Sequence, residues 1–131
     1  MGRRYLPASW VDLSPTEIAS AKTASRQPTS KAIEQLLSLA DSYYKSALLG
    51  IQLLPFRSRF SITVALRVYR QIGVLLRRRN LAWWKGRVVV HKLEKIILSL
   101  VSLIDLRPKK VPPHQSNLHK SLKGLAGVDA T

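Results

Sequence analysis

Arginine and aromatic residues stand close together at several places along this sequence, and their side chains could together bind a phosphorylated ligand. The sets are Arg3, Arg4 and Tyr5, then Arg67, Tyr69 and Arg70, and finally Arg77, Arg78, Arg79, Trp83, Trp84 and Arg87. A guanidinium group donates paired hydrogen bonds to phosphate oxygens, and an aromatic face stabilises a cation. Taken alone, however, the pattern favours a solvated basic face with aromatic side chains in the core, because charged helix faces are common.

The sequence offers few groups for other kinds of chemistry. It contains no cysteine, which excludes a disulfide scaffold, a thiolate metal site and a cysteine nucleophile. His114 and His119 have no acid or cysteine at ligand spacing, and His91 is expected to be structural or solvent-facing, so a zinc site is not expected. No two of the seven acids are three or four residues apart on one helix face, so helical carboxylates cannot form a magnesium site locally.

The charge balance is the strongest compositional feature. The 131 residues include 22 Lys and Arg against 7 Asp and Glu, which gives a formal net charge of +15. Like charges repel in a compact chain unless a polyanion or an acidic partner compensates them. The compensating partner could be nucleic acid, an anionic membrane, a phosphorylated substrate or an acidic protein segment. The net charge alone does not distinguish among these partners.

Apolar segments in this sequence are short. The longest near-continuous apolar stretch covers nine residues, Ile96 to Ile104, against the roughly 20 that a membrane-spanning helix needs. No apolar segment follows the N-terminal charges, so a secretory signal is not expected. We therefore expect a cytoplasmic protein, with peripheral contact to a membrane as an open alternative.

Helical periodicity predicts three main helices. Apolar residues recur at the i, i+3, i+4 spacing from about Ser30 to Gly50, from Pro55 to Arg79 and from Leu93 to Ile104. In the second helix the basic residues gather opposite the apolar stripe, so we expect its apolar side in the core and its basic side in solvent. Val88 to Val90 could form a strand or a first helical turn, and the longer helical spacing that follows favours the helix.

The remaining segments are expected to connect these helices. The chain up to about Ser30 is proline-rich and loop-like, apart from a short helix from Pro15 to about Lys22. Asn80 to Gly86 is typical of a turn. We predict an all-α domain over residues 1–105 and a flexible basic tail over residues 106–131.

Five sequence blocks, in the same order, resemble the squalene/phytoene synthase family. They are RRYLP (Arg3 to Pro7), YYKSA (Tyr43 to Ala47), GIQLLPFRSR (Gly50 to Arg59), VALRVYRQIG (Val64 to Gly73) and GRVVVHKLEK (Gly86 to Lys95). The patterns LLP-x-x-SR and YR-x-IG are the most distinctive and resemble bacterial phytoene synthases. The resemblance implies a partial isoprenoid-synthase-type helical bundle, of which this chain would be the C-terminal half.

The resemblance also implies an activity. Enzymes of this family are head-to-head prenyltransferases that join two isoprenyl diphosphates in carotenoid or triterpenoid biosynthesis. Magnesium, held by two D-x-x-x-D motifs, ionises the diphosphate substrate. Both motifs precede R-x-Y-L-P in the family, so we expect no magnesium ligand in this chain. The isolated chain should then be inactive, and a separate N-terminal half chain is the partner that the resemblance suggests.

Three residues receive a role from the resemblance alone. Arg3 matches the arginine of R-x-Y-L-P, and Arg87 matches the arginine before the V-x-V segment, so both would bind the diphosphate. Tyr69 matches the tyrosine of the YR-x-IG block and would line the reaction cavity. The family commonly has serine where this chain has His91, a difference that affects none of these three residues.

Two alternatives remain beside this interpretation. A small basic helical protein that binds RNA or associates with a ribosome would also have this charge and this basic tail. Adsorption to anionic lipid through Arg59, Arg70, Arg77 and the tail is the second alternative. Ordered agreement over five blocks outweighs the charge argument, so nucleic acid is not the expected partner. If the chain is half of a bundle, its helices should also leave a large apolar patch exposed.

Overall fold

The computed structural model describes residues 5–107 and residues 117, 120, 123 and 124. This part of the chain forms four α-helices and two short 3-10 turns, and it contains no β-strand. The helices are α1, Pro15–Ser20; α2, Thr23–Gly50; α3, Phe56–Arg78; and α4, Lys92–Asp105, and the turns are Ile51–Leu53 and Trp83–Lys85. The prediction of an all-α fold with three main helices is confirmed. Almost all of the expected tail, residues 106–131, lies outside the described residues.

Helix α2 begins seven residues earlier than the sequence predicted and contains Pro28. A proline inside a helix removes one backbone hydrogen bond, which is why the segment before Ser30 was expected to be a loop. The extra turns are stabilised by burial instead, because the small side chains of Ser25, Thr29 and Ala32 lie on one face and are almost fully enclosed. The Ser30 hydroxyl also donates a hydrogen bond to the carbonyl of Leu81, at 3.3 Å.

The other helix boundaries follow from local capping. Ser14 and Glu17 form a capping box at the start of α1, with 3.2 Å between the Glu17 amide and the Ser14 hydroxyl. Glu94 accepts a hydrogen bond from the backbone amide of His91 at 3.3 Å, which fixes the start of α4 at Lys92. Residues 88–90 form a connection without regular secondary structure, so the expected helical turn is absent there.

Helix α3 is the central element and packs against both α2 and α4. Arg77 contacts Glu34, whereas Arg70, earlier in α3, contacts Asp41, later in α2. Arg59, near the start of α3, contacts Leu106 just after α4, whereas Val74, near the end of α3, lines the same cavity as Leu98, in the middle of α4. Helix α3 therefore runs antiparallel to both neighbours. Gly73 allows the close approach of α2, because a Cβ atom at that position would lie 2.8 Å from a Leu37 methyl group. Among the described residues, no helix combines the length and apolar character needed to cross a membrane.

The large apolar side chains lie mainly on the outside of this arrangement. The most enclosed side chains are small, with Ala32 and Ser102 at 0% exposure and Thr63 at 1%. The outer side of α4 exposes Leu93, Ile96, Ile97, Leu100, Leu103 and Ile104, each by about half or more. The prediction of an exposed apolar patch is confirmed. By contrast, the prediction that α3 turns its basic side to solvent is wrong for Arg67, Arg70 and Arg77, which contact acids of α2 and α4, although Arg78 is exposed as expected.

Candidate functional site

Tyr69 lies on the side of α3 that neither neighbouring helix covers. Its side chain is 66% exposed, and Ile62 and Ala65 on the same side are also exposed. These residues are three, four and seven positions apart, so they form one strip along the helix. This strip, which we call the Tyr69 strip (Ile62, Ala65 and Tyr69), is an open apolar surface with one phenolic hydroxyl. It could line one side of a cavity whose other walls come from elsewhere.

Arg87 lies in the connection that leads from the Trp83–Lys85 turn to α4. The preceding Gly86 has φ +94°, a conformation that side-chain-bearing residues rarely adopt, and it sets the direction in which the chain leaves the turn. Arg87 is exposed, and no ion pair joins it to an acid in the described part of the chain. Arg3 lies outside the described residues, and no hydrogen bond joins Tyr69 to Arg87 within them.

Arginines of α3 form ion pairs with acids of both neighbouring helices. Asp41 accepts hydrogen bonds from Arg77, at 2.6 Å, and from Arg70, at 2.9 Å. Arg77 also donates to Glu34 at 3.1 Å. The hydrogen bonds from Arg77 and then Arg70 lower the pKa of the Asp41 carboxyl, and those to Asp41 and then Glu34 raise the pKa of Arg77. We call these four residues, with the Arg67–Asp105 pair, the arginine–carboxylate seam.

The acids of the seam do not stand three or four positions apart, so the spacing used above to look for paired carboxylates does not detect them. Glu34 and Asp41 are seven positions apart, and so are Arg70 and Arg77. Seven residues make almost two full helical turns, so each pair lies on one face of its helix. Two antiparallel helices with matching seven-residue spacings can pair these charges, and this signal was present in the sequence.

Arg59, in the LLP-x-x-SR block near the start of α3, binds backbone carbonyls of the Ile51–Leu53 turn and of the residue that follows α4. Its guanidinium donates to the carbonyl of Gln52 at 2.7 Å, to that of Leu54 at 2.9 Å and to that of Leu106 at 3.4 Å. Carbonyl groups at helix ends have no partner within the helix and need a donor from outside. The distinctive block is therefore explained by a structural role of its arginine, which is not free to bind lipid as the sequence had suggested.

A small cavity lies between α2, α3 and α4. Its volume is about 100 Å³, and it is lined by Leu48, Leu66, Arg67, Arg70, Gln71, Val74 and Leu98. Sites for small molecules in proteins usually have volumes of roughly 300–1,000 Å³. This cavity is too small for an isoprenyl chain, and its two arginines are already paired with acids.

The described residues do not fit the magnesium ions that the family resemblance implies. They contain no group of three or more His, Cys, Asp or Glu side chains that could hold a metal ion. Asp41 contacts two guanidinium groups, and Glu34 contacts one of them. Neighbouring positive charges and hydrogen bonds of this kind oppose the binding of a divalent cation by the same carboxylates.

Comparison with known proteins gives a consistent result. A model of the squalene/phytoene synthase family matches residues 1–94. The chain is 34% identical to the 15-cis-phytoene synthase of Pantoea ananas, in an alignment that covers 89% of this chain and 39% of that protein. It is 33% identical to the 15-cis-phytoene synthase of Paracoccus sp. strain N81106, with 86% of this chain and 36% of that protein covered.

The chain also matches part of a larger, bifunctional protein. The chain is 31% identical to the bifunctional lycopene cyclase/phytoene synthase of Leptosphaeria maculans, over 76% of this chain and 17% of that protein. No solved structure matches the chain. The chain spans less than two fifths of the length of the two bacterial relatives. The match of the family model over most of the chain shows that this protein belongs to the squalene/phytoene synthase family.

Proposed function

We propose that this chain is the diphosphate-binding C-terminal part of a head-to-head prenyltransferase that condenses two isoprenyl diphosphates in carotenoid biosynthesis. The observation that carries the proposal is the Tyr69 strip, an apolar surface on α3 that lies open in a chain matching phytoene synthases. Burying such a strip against a hydrocarbon chain or against other helices stabilises it by roughly 25 cal/mol per Å². The strip is therefore suited to form one wall of a cavity for isoprenyl chains.

Tyr69 would act within this wall as an aromatic neighbour of positive charge. Its ring can stabilise a carbocation through its electron-rich face, and its hydroxyl can donate a hydrogen bond to a diphosphate oxygen. Ala65 and Ile62, one and two turns away, would contact the hydrocarbon chain. The role of Tyr69 is a positional match to the family that its exposure on α3 supports.

Arg87 and Arg3 would bind the diphosphate. Arg87 differs from Arg70 and Arg77 in having no acidic partner among the described residues, so its guanidinium can accept an anionic ligand without breaking an ion pair. Gly86 gives the connection its direction just before Arg87. Arg3 is proposed on the family pattern alone.

The carboxylates that hold magnesium would come from a separate segment, since Glu34, Asp41 and Asp105 are engaged by arginines. That segment would be an N-terminal half chain with aspartate-rich motifs, which would also cover the Tyr69 strip. The isolated chain would then bind diphosphate without catalysing the condensation. RNA binding is less well supported, because Arg67, Arg70 and Arg77 are paired within the protein and are not available to phosphates.

Isothermal titration of the 131-residue chain with geranylgeranyl diphosphate tests the diphosphate site. We expect Arg87→Ala to weaken binding about tenfold or more, because a charge-assisted hydrogen bond contributes roughly 1.5–3 kcal/mol. Arg57→Ala is the matched control, since Arg57 is also exposed and has no assigned role. Equal affinity of the unchanged chain and Arg87→Ala, or an equal loss in both variants, would count against the proposal.

A further inference from the structure

The Trp83–Lys85 turn is attached to the first part of α2 by two contacts. The guanidinium of Arg26 lies over the Trp84 ring, with its carbon 4.8 Å from the ring centroid. The Ser30 hydroxyl donates a hydrogen bond to the carbonyl of Leu81 at 3.3 Å. Arg26 and Ser30 are four positions apart, so both contacts come from one side of α2. A cation over an aromatic face is attracted to it, most strongly when the ring is that of tryptophan.

Both partners of this cation–ring contact are fixed by further contacts. The Nε–H group of Arg26 donates a hydrogen bond to the carbonyl of Ala21 at 2.9 Å, and no acid forms an ion pair with Arg26 among the described residues. Trp84 also meets Trp83 edge to face, with 5.9 Å between the ring centroids and 88° between the planes. Of these contacts, only the one with Arg26 joins the Trp84 ring to another helix.

The backbone that leads into the turn is strained. Asn80 has φ +52° and Leu81 has φ +56°, a left-handed conformation that is uncommon for residues other than glycine, although asparagine tolerates it. The indole nitrogen of Trp83 is enclosed and has no hydrogen-bond partner in the described part of the chain. Such features persist only where surrounding contacts hold them, and they cluster at functional sites. The turn is therefore a candidate for a role in function.

Arg87 lies between this turn and a second fixed point. Three residues before it, Trp84 contacts Arg26, and three residues after it, Val90 is only 4% exposed. Arg87 itself is exposed, and Gly86 just before it has φ +94°. The connection is thus attached on both sides of Arg87 while Arg87 stays open to solvent. A ligand that binds to a segment held in this way has less conformational entropy to remove.

We propose that the contact between Arg26 and Trp84 positions Arg87 for the diphosphate. Arg26 and Trp84 are then positioning residues, which act through the backbone of the connection. This inference rests on the proposed function, in which Arg87 binds the diphosphate. Releasing the turn from α2 should weaken diphosphate binding, because Arg87 must then be ordered when the ligand binds.

Isothermal titration of the 131-residue chain with inorganic diphosphate tests the inference. Trp84→Leu removes the aromatic face without changing the charge, and we expect it to weaken binding about two- to tenfold. Arg26→Gln removes the cation and should have the same effect, whereas Arg26→Lys keeps a cation near the ring and should retain most of the affinity. Arg57→Gln, near the other end of α3, is the control for the loss of one positive charge.

The measurement that separates positioning from a general structural role is made in Arg87→Ala. In that background Trp84→Leu should lower the affinity no further, because the effect passes through Arg87. Urea unfolding of each variant records whether it is folded. If Trp84→Leu is not folded, the comparison of Arg26→Gln with Arg26→Lys carries the test, and equal affinity of these two variants would overturn the inference.

The remaining outcomes distinguish this inference from the proposed function. If Arg87→Ala weakens binding while Trp84→Leu and Arg26→Gln bind as the unchanged chain does, positioning is wrong and the diphosphate site stands. Losses from Trp84→Leu that are equal with and without Arg87 would also overturn positioning. If the unchanged chain binds no diphosphate, or if Arg87→Ala has no effect, both the inference and the proposed function are wrong.

Discussion

The two sides of α3 differ in chemistry and in what they do for the protein. The inner side carries Arg67, Arg70 and Arg77, whose charges are matched by acids of α2 and α4. The outer side carries Ile62 and Tyr69, whose apolar side chains are exposed. The paired charges set how the three helices lie against each other, while the apolar side is left for something outside this arrangement. A basic helix face is therefore not always a binding surface, and an apolar one is not always a core.

The largest effect is expected from breaking the arginine–carboxylate seam. Asp41→Ala leaves the guanidinium groups of Arg70 and Arg77 without their shared acceptor between two helices. We expect a loss of about 2 kcal/mol in the free energy of unfolding, less than the roughly 3–5 kcal/mol of a fully buried pair, because solvent reaches these side chains. Urea unfolding followed by circular dichroism measures it.

A double-mutant cycle with Asp41→Ala and Arg77→Ala measures how much the contact between these two side chains contributes to stability, apart from what each side chain contributes through its other contacts. Because the carboxylate of Asp41 and the guanidinium of Arg77 are in direct contact, the two losses should not add. Additive losses would mean that the contact itself contributes nothing to stability, and the contrast between the two sides of α3 would then be wrong.

The same contact predicts a dependence of stability on pH. The pKa of Asp41 is lowered in the folded chain by hydrogen bonds from Arg77 and Arg70, so the unfolded state binds more protons as the solution becomes acidic. This contribution is complete above the unfolded pKa of about 3.9 and is lost as pH falls through the lower folded value. Unfolding curves at a series of acidic pH values should show that the free energy of unfolding falls less with decreasing pH in Asp41→Asn than in the unchanged chain.

Close packing on the inner side gives a smaller expected effect. In Gly73→Val the new side chain meets the Leu37 methyl group, since a Cβ atom alone would lie at 2.8 Å from it. Overpacking of this kind usually costs about 1–3 kcal/mol, and we expect the lower part of that range because the Leu37 side chain can move. Leu37→Ala in the same chain should recover part of the loss, and thermal unfolding would detect it. If Leu37→Ala recovers none of the lost stability, the strain in Gly73→Val does not arise from its contact with Leu37.

The smallest effect is expected on the outer side. Ile62→Ser removes an exposed apolar side chain, and such surface changes usually alter stability by less than about 0.5 kcal/mol. Leu66→Ser, one turn further along at a position that is buried against the neighbouring helices, is the matched comparison and should cost several times more. Similar losses for both variants would show that the outer side of α3 is packed as tightly as the inner side, and the contrast between them would fail.

Much of the fold could be predicted from the sequence because its signals are local. The helical spacing placed α3 and α4 to within a few residues, and Ser14 with Glu17 fixed the start of α1. The early start of α2 could not be predicted, because the burial of Thr29 against other parts of the chain outweighs the effect of Pro28. Which side of α3 faces inward also depended on acids from two other helices.

The candidate site was accessible to sequence reasoning only through the family pattern. Tyr69 is exposed, as the proposed cavity role requires, yet nothing in its local spacing distinguishes it from a core aromatic residue. Arg87 differs from Arg67, Arg70 and Arg77 in having no acidic partner in the described part of the chain, but Arg57 and Arg78 share this feature, so the family pattern is needed to single it out. That difference depends on tertiary contacts.

Phytoene formation is the most direct test of the central claim, that this chain supplies one wall of a divided active site. The purified chain would be incubated with geranylgeranyl diphosphate and magnesium, alone and after co-expression with the part of the Pantoea ananas phytoene synthase that its alignment with this chain leaves uncovered. We predict product only from the combined halves, and a strong loss with Tyr69→Ala in the combination. Phytoene from the chain alone, or full activity with Tyr69→Ala, would contradict the claim.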